Sequence, residues 1–174
     1  MKRAAVIPVG AAAIAALCYA SAVNPAPILV WNASASAPIG LYLLRAGSPE
    51  IGDYVLVESD RSVRKFIECR AHLPDGIPLL KRVAAVPGAE ICRLQLRVLI
   101  DGVVVAYALE ADSLGRPMPQ WRGCIALKRD EVFLLNDHEK SLDGRYFGGV
   151  SVRNIVGVAT PLWTFSEDGR RDEK

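Results

Sequence analysis

The sequence predicts a mainly β protein, with coiled antiparallel sheets forming a partly closed barrel behind one N-terminal transmembrane helix. Three observations carry this. Short β-rich apolar runs, Tyr54-Val55-Leu56-Val57 among them, recur between turn signals along the chain. One stretch, Ser62 to Ala71, alternates charge and apolarity at helical spacing. A charge-free run from Ala4 to Val23 follows Lys2 and Arg3, and it has the length to cross a bilayer as a helix.

Taken in order, the chain begins with that apolar run. The cationic flank predicts a cytoplasmic N-terminus and an exported remainder. Ala20-Ser21-Ala22 also fits a small-x-small cleavage site, the rival reading of a removable signal peptide. Apolar character continuing through Ile28-Leu29-Val30 favours a retained anchor. Asn24-Pro25-Ala26-Pro27 breaks the helix, because proline lacks an amide donor and restricts the residue before it. Ile28 to Trp31 is a short strand or an interfacial segment. A serine-rich turn follows, and Leu41 to Leu44 reads as a strand.

Ser48 to Asp53 is a turn, Tyr54 to Val57 a strand, and Ser62 to Ala71 a short helix. Leu79 to Val86 is a strand stopped by Pro87-Gly88. Ile91 to Val105 reads as a hairpin bent at Asp101-Gly102. Asp112 to Gln120, with Gly115, Pro117 and Pro119, is a loop. Glu131 to Leu135 and Asn154 to Pro161 are strands. The highly charged C-terminus is expected to be a disordered tail. The expected organisation is therefore an anchor over residues 1–24, a folded domain over 25–165 and a tail over 166–174.

With 174 residues, 51% of them hydrophobic and 23% charged, the chain can build one core plus an appendage. A net charge of +2, with no basic stripe carrying interleaved aromatics, argues against a nucleic-acid partner. The four cysteines form no CxxC pair and the two histidines lie far apart, so neither a metal site nor a cofactor is expected.

Three stretches could together carry chemistry: Ala33-Ser34-Ala35-Ser36-Ala37-Pro38-Ile39-Gly40, Leu79-Leu80-Lys81-Arg82-Val83, and Ser141-Leu142-Asp143-Gly144-Arg145-Tyr146-Phe147-Gly148. A serine hydroxyl is a weak nucleophile until a base takes its proton. His72 and His138 are candidates for that base, but both sit in polar surroundings that suit solvated surface histidines. A lysine serves instead when burial among apolar groups disfavours its charged form. Lys81 is preceded by Leu79-Leu80 and followed, after Arg82, by Val83 to Val86. Strand alternation puts it on one face with Leu79, Val83 and Ala85. Alone, Ser36-x-Pro38 would be an ordinary turn and Lys81 an edge-strand guard. In this order the three stretches favour a Ser-Lys pair.

Those stretches resemble the boxes of the signal peptidase I family of Ser-Lys proteases. Trp31-Asn32 with Ser36-x-Pro38-x-Gly40-Leu41-Tyr42 is most similar to the TraF-type branch that processes conjugative pilins. Gly52-Asp53-Tyr54-Val55-Leu56-Val57 resembles the strand after the serine box, and Lys81-Arg82 with Pro87-Gly88 the lysine box. The resemblance implies Ser36 as nucleophile and Lys81 as general base. It implies that Ser34 and the Ser36 amide hold the oxyanion, and that Ser141, Asp143 and Arg145 support the lysine. Two departures stand out from housekeeping members: one residue rather than two separates Ser36 from Pro38, and Gly144 stands where serine is common.

The resemblance further implies a bacterial inner-membrane endopeptidase. Its partners would be the lipid bilayer and a pre-pilin or other exported protein. Joining the new ends into a cyclic pilin needs no different residues, so the sequence does not distinguish that outcome, and it does not indicate an oligomeric state. An oxidising compartment favours a disulfide, expected between Cys92 and Cys124, with Cys69 the competing partner and otherwise a free, partly buried thiol. Rival functions are a self-cleaving repressor-type protease, which the apolar N-terminus opposes, and a non-catalytic β-rich periplasmic component of a secretion channel.

Overall fold

The computed structural model describes residues 28–71 and 76–165, together with scattered positions between 10 and 19. The predicted anchor falls mainly outside the described residues, and His72 and the predicted tail wholly so. Among the described residues, no helix is long and apolar enough to cross a membrane. The transmembrane helix of the sequence reading therefore has no counterpart there.

The chain runs through β1 (Leu29–Asn32), β2 (Ile39–Arg45), β3 (Tyr54–Val57), α1 (Arg61–Ala71), β4 (Leu79–Ala85), β5 (Glu90–Leu94) and β6 (Arg97–Ile100). It continues through β7 (Val103–Tyr107), β8 (Gly123–Ala126), β9 (Glu131–Leu134), α2 (Gly144–Phe147), β10 (Val150–Ser151), a 3₁₀ turn (Val152–Asn154) and β11 (Ile155–Phe165). The fold is mainly β. A seven-stranded antiparallel sheet has the order β1-β2-β11-β3-β4-β9-β10, and a four-stranded one the order β7-β6-β5-β8. The larger sheet is open, with β1 and β10 at its edges.

Alternation along the central strands puts apolar residues on both faces of the larger sheet. One face buries Ala37, Tyr42, Leu44, Leu56, Leu80 and Ala159. The other buries Val55, Val57, Val83, Val132 and Leu134. Ala85, Ile91, Val98, Leu127 and Phe133 form the cluster that joins the two sheets.

Three expectations are corrected. The hairpin read over Ile91 to Val105 is a three-strand meander, because a second reversal occurs at Gln95, held at φ 58°. Glutamine is no turn signal, which hid it. The Asp101-Gly102 bend does lie where expected, with φ 48° and 80°. Strand β8 and the one-turn helix α2 were not foreseen. Strand β11 runs past Pro161 to Phe165, and its register against β2 shifts between Pro161 and Trp163. Pro161 lies beyond Ala159, the last residue paired with β3, where a missing amide is tolerated.

Candidate active site

The serine turn lies between β1 and β2 and is organised by Asn32, which is 8% exposed. Its Nδ2 donates to the carbonyls of Ser34 (2.9 Å), Ala37 (3.0 Å) and Pro38 (3.0 Å), while its Oδ1 accepts from the Ser34 amide at 3.1 Å. The Tyr42 hydroxyl adds a bond to the Pro38 carbonyl at 2.7 Å. Within this frame the Ser34 and Ser36 hydroxyl oxygens lie 3.0 Å apart, and the Ser36 amide donates to Ser34 Oγ at 3.3 Å. Ser36 opens onto a cavity of about 430 Å³ that is also lined by Tyr54, Arg82, Asn136, Asp137, His138 and Phe165.

Lys81 sits in the middle of β4 opposite Val55 on β3, and only 5% of it is exposed. Its Nζ donates to Ser141 Oγ at 2.9 Å. Burial disfavours the ammonium and lowers the pKa from 10.5 to about 8; Asp143 acts against this shift and Arg145 with it. The amine borders a small cavity of about 50 Å³, walled by Val57, Val63, Leu79, Leu134 and Phe147, with Asp60 and Asp143 the acids present.

The segment after β9 supplies the remaining groups. Ser141 and Asp143 are 2% and 4% exposed. Asp143 caps α2, its Oδ1 accepting from the Arg145 amide at 3.1 Å, and its Oδ2 accepts from the Asn136 amide at 3.1 Å. Burial raises its pKa, against the pull of Arg145 and Lys81. Arg145 Nε lies 3.5 Å from Asp143 Oδ1, and its guanidinium donates to the carbonyls of His138 (2.9 Å), Glu139 (2.7 Å) and Asn136. Asp143 thus pairs with Arg145 rather than bonding Lys81.

The second sheet reaches this segment. Arg93, 1% exposed, donates to the Arg145 carbonyl at 2.7 Å and lies over the Tyr146 ring. Trp121 Nε1 donates to the Gly144 carbonyl at 3.1 Å. Cys92 and Cys124, paired across β5 and β8, form the expected disulfide, and Cys69 is a free thiol but exposed, not partly buried as expected, because it lies on the solvent side of α1.

The structure therefore assembles two groups. Ser34 and Ser36 form one, and Lys81, Ser141, Asp143 and Arg145 the other. Among the described residues no hydrogen bond joins Ser36 to Lys81. Chemically, the first group offers a hydroxyl with a neighbouring donor, and the second a buried amine able to give up its charge near neutral pH. His138 lies at the rim of the serine cavity, its Nδ1 accepting from the Lys140 amide. Sequence reasoning missed Asn136, which bonds both β4 and Asp143. The signal was there: a polar side chain directly after the apolar strand Val132 to Leu135.

The chain resembles known proteins. The profile of the family described as signal peptidase, peptidase S26, matches residues 1–163. A plasmid transfer protein TraF of Escherichia coli is 32% identical over 145 residues, spanning 77% of this chain and 82% of that protein. A probable conjugal transfer protein TraF of Sinorhizobium fredii is 35% identical over 147 residues, spanning 78% and 77%. Among solved structures, a signal peptidase I from Enterococcus faecalis aligns at a TM-score of 0.40 with 21% identity, covering 67% of this chain and 100% of that one.

Proposed function

We propose, for a chain that belongs to the signal peptidase family, peptidase S26, and to its TraF-type branch, that it is a membrane-anchored Ser-Lys endopeptidase that processes a conjugative pilin precursor. The observation that carries the reading is Lys81: a buried amine, lowered to about pKa 8, hydrogen-bonded to a serine hydroxyl and, among the described residues, ion-paired to no acid.

In this reading the Ser36 hydroxyl attacks the scissile carbonyl and its proton passes to neutral Lys81. Ser34 Oγ and the Ser36 amide, bonded to each other without substrate, turn to the developing oxyanion. Ser36 and Lys81 come into contact when substrate seats in the serine cavity, since catalytic hydrogen bonds commonly tighten only in the substrate complex. Ser141 holds the amine, while Asp143 and Arg145 brace the segment that carries it. Residues 1–24 would hold the enzyme in the inner membrane, N-terminus in the cytoplasm and domain in the periplasm. An outward apolar face supports this: cross-strand register aligns Trp31, Leu41 and Trp163, and Leu29, Trp31 and Trp163 are 54%, 53% and 45% exposed.

The test is co-expression with candidate pilins, followed by intact-mass measurement of the pilin. Ser36→Ala and Lys81→Ala should each abolish processing, and the double variant should be no worse, because the pair acts as a unit. Lys81→Arg should be equally inactive, since a guanidinium keeps its proton. Ser34→Ala should lose about 10²-fold in rate. Unimpaired processing by Ser36→Ala would instead make the protein a non-catalytic component of the secretion apparatus.

A further inference from the structure

We propose that Asn136 is a positioning residue for Lys81, tying the lysine's strand to the segment that carries Ser141, Asp143 and Arg145. It is 2% exposed and stands just past the end of β9. The Leu135 amide is the last backbone donor of that segment to bond β4, reaching the Arg82 carbonyl at 2.9 Å. The side chain of Asn136 then takes over where the backbone leaves the ladder. Its Oδ1 accepts from the Arg82 amide at 2.8 Å, and its Nδ2 donates to the Leu80 carbonyl at 3.2 Å. These two backbone groups flank Lys81.

The backbone of Asn136 faces the other way. Its amide donates to Asp143 Oδ2 at 3.1 Å, and its carbonyl accepts from the Arg145 guanidinium. One residue thus spans the gap between β4 and the Asp143–Arg145 pair, with every polar group partnered. Only a side-chain amide presents a donor and an acceptor in the plane that Leu80 and Arg82 require. Aspartate would set an oxygen against the Leu80 carbonyl, and alanine would leave both β4 groups without partners.

The consequence falls on the amine. Lys81 meets Ser141 only while β4 and the segment after β9 keep their separation. The charged groups facing it are Asp143 and Arg145 from that segment and Asp60 ahead of α1, while β3 and β9 contribute Val57 and Leu134. Loosening the tie admits water and brings the ammonium form back. Asn136→Ala should therefore lower kcat by about 10²-fold, the size expected when a reacting group is displaced by about 1 Å. The Lys81 titration should move up from about 8 toward 10.5.

The effect on rate rests on the Ser-Lys reading, but the titration does not. The experiment uses the full chain in detergent micelles, labelled with 13C-lysine, with the Lys81 resonance assigned by its loss in Lys81→Arg. Upward titration shifts in both Asn136→Ala and the uncharged Asn136→Leu support the tie. So do shifts observed when neither parent nor variants process pilin, an outcome that would sink the dyad alone. A folded Asn136→Ala with parental titration and parental kcat overturns the inference. Should Asn136→Ala fail to fold, Asn136→Leu decides by the same titration: it keeps the size, adds no charge and removes both β4 bonds, and an unshifted Lys81 there overturns the inference equally.

Discussion

Burial of Lys81 disfavours its ammonium form and holds its pKa at about 8 instead of 10.5. Between those two values the folded protein binds fewer protons than the unfolded chain, so stability rises with pH across that window. Below about 8 the penalty is present in full, on the order of 3 kcal/mol. Lys81→Met should remove it, offset by about 1 kcal/mol for the hydrogen bond lost by the buried Ser141 hydroxyl. The variant should therefore melt higher than the parent at neutral pH, and the gain should shrink as pH climbs through 8 toward 10.5. Thermal unfolding of both proteins across that range checks it, and a gain independent of pH would show that the lysine carries no such penalty. Processing by the parent should follow the same group, rising as pH passes through about 8 from below. Lys81 was legible in the sequence because an apolar pair before it and an apolar run after it announce burial. Asn136 left only the signal of a polar residue after an apolar run, and the roles of Asn32 and Asn136 as organisers stayed hidden, because an asparagine's partners here are backbone groups that sequence spacing does not bring together.

Helix α2 occupies only Gly144–Phe147, yet its first residue is fixed by contacts from a different strand. A Cβ on Gly144 would stand 2.5 Å from Phe133 Cε2 and 2.8 Å from the Leu134 carbonyl oxygen, both on β9. The ring can turn aside; the backbone oxygen cannot. At this position β9 passes too close for any side chain. Gly144→Ser should destabilise by roughly 1–3 kcal/mol, as overpacking does. It should also slow processing, since Asp143 and Arg145 flank the displaced residue. Phe133→Leu should recover only part of the loss, because the Leu134 oxygen stays. Denaturant unfolding of the two single variants and the double variant measures that coupling, and a Gly144→Ser protein as stable as the parent would refute the contact. The elements that could be read in advance, β2, β3, α1, β4 and β9, announce themselves through local period. Strand β8 could not, because Gly123-Cys124-Ile125-Ala126 is exposed along its length and holds its place through β5 alone.

Across the whole molecule, the small sheet acts as a buttress for the segment that bears Ser141 and Asp143. Its strands donate Arg93 to the Arg145 carbonyl, and the loop before β8 donates Trp121 to the Gly144 carbonyl. The sequence order of the chemical boxes is legible without a structure, but this buttress is not, since Arg93 and Arg145 are 52 residues apart and meet only through the packing of two sheets. The Cys92–Cys124 bridge fastens β5 to β8 at the residue beside Arg93, with a sequence separation of 32. Closing a loop of that size restricts the unfolded chain by roughly 3–4 kcal/mol. Replacing both cysteines with alanine should lower unfolding stability by about that amount. It should also reduce processing under conditions where the variant is still folded, because β5 then holds Arg93 less firmly against the Arg145 carbonyl. Cys69→Ala should do neither, as that thiol is exposed and unpaired. Denaturant unfolding with and without reductant, alongside pilin processing at matched folded fractions, separates the two effects. A double-alanine variant that loses stability but processes at the parental rate would confine the bridge to the small sheet and deny it any reach into the site.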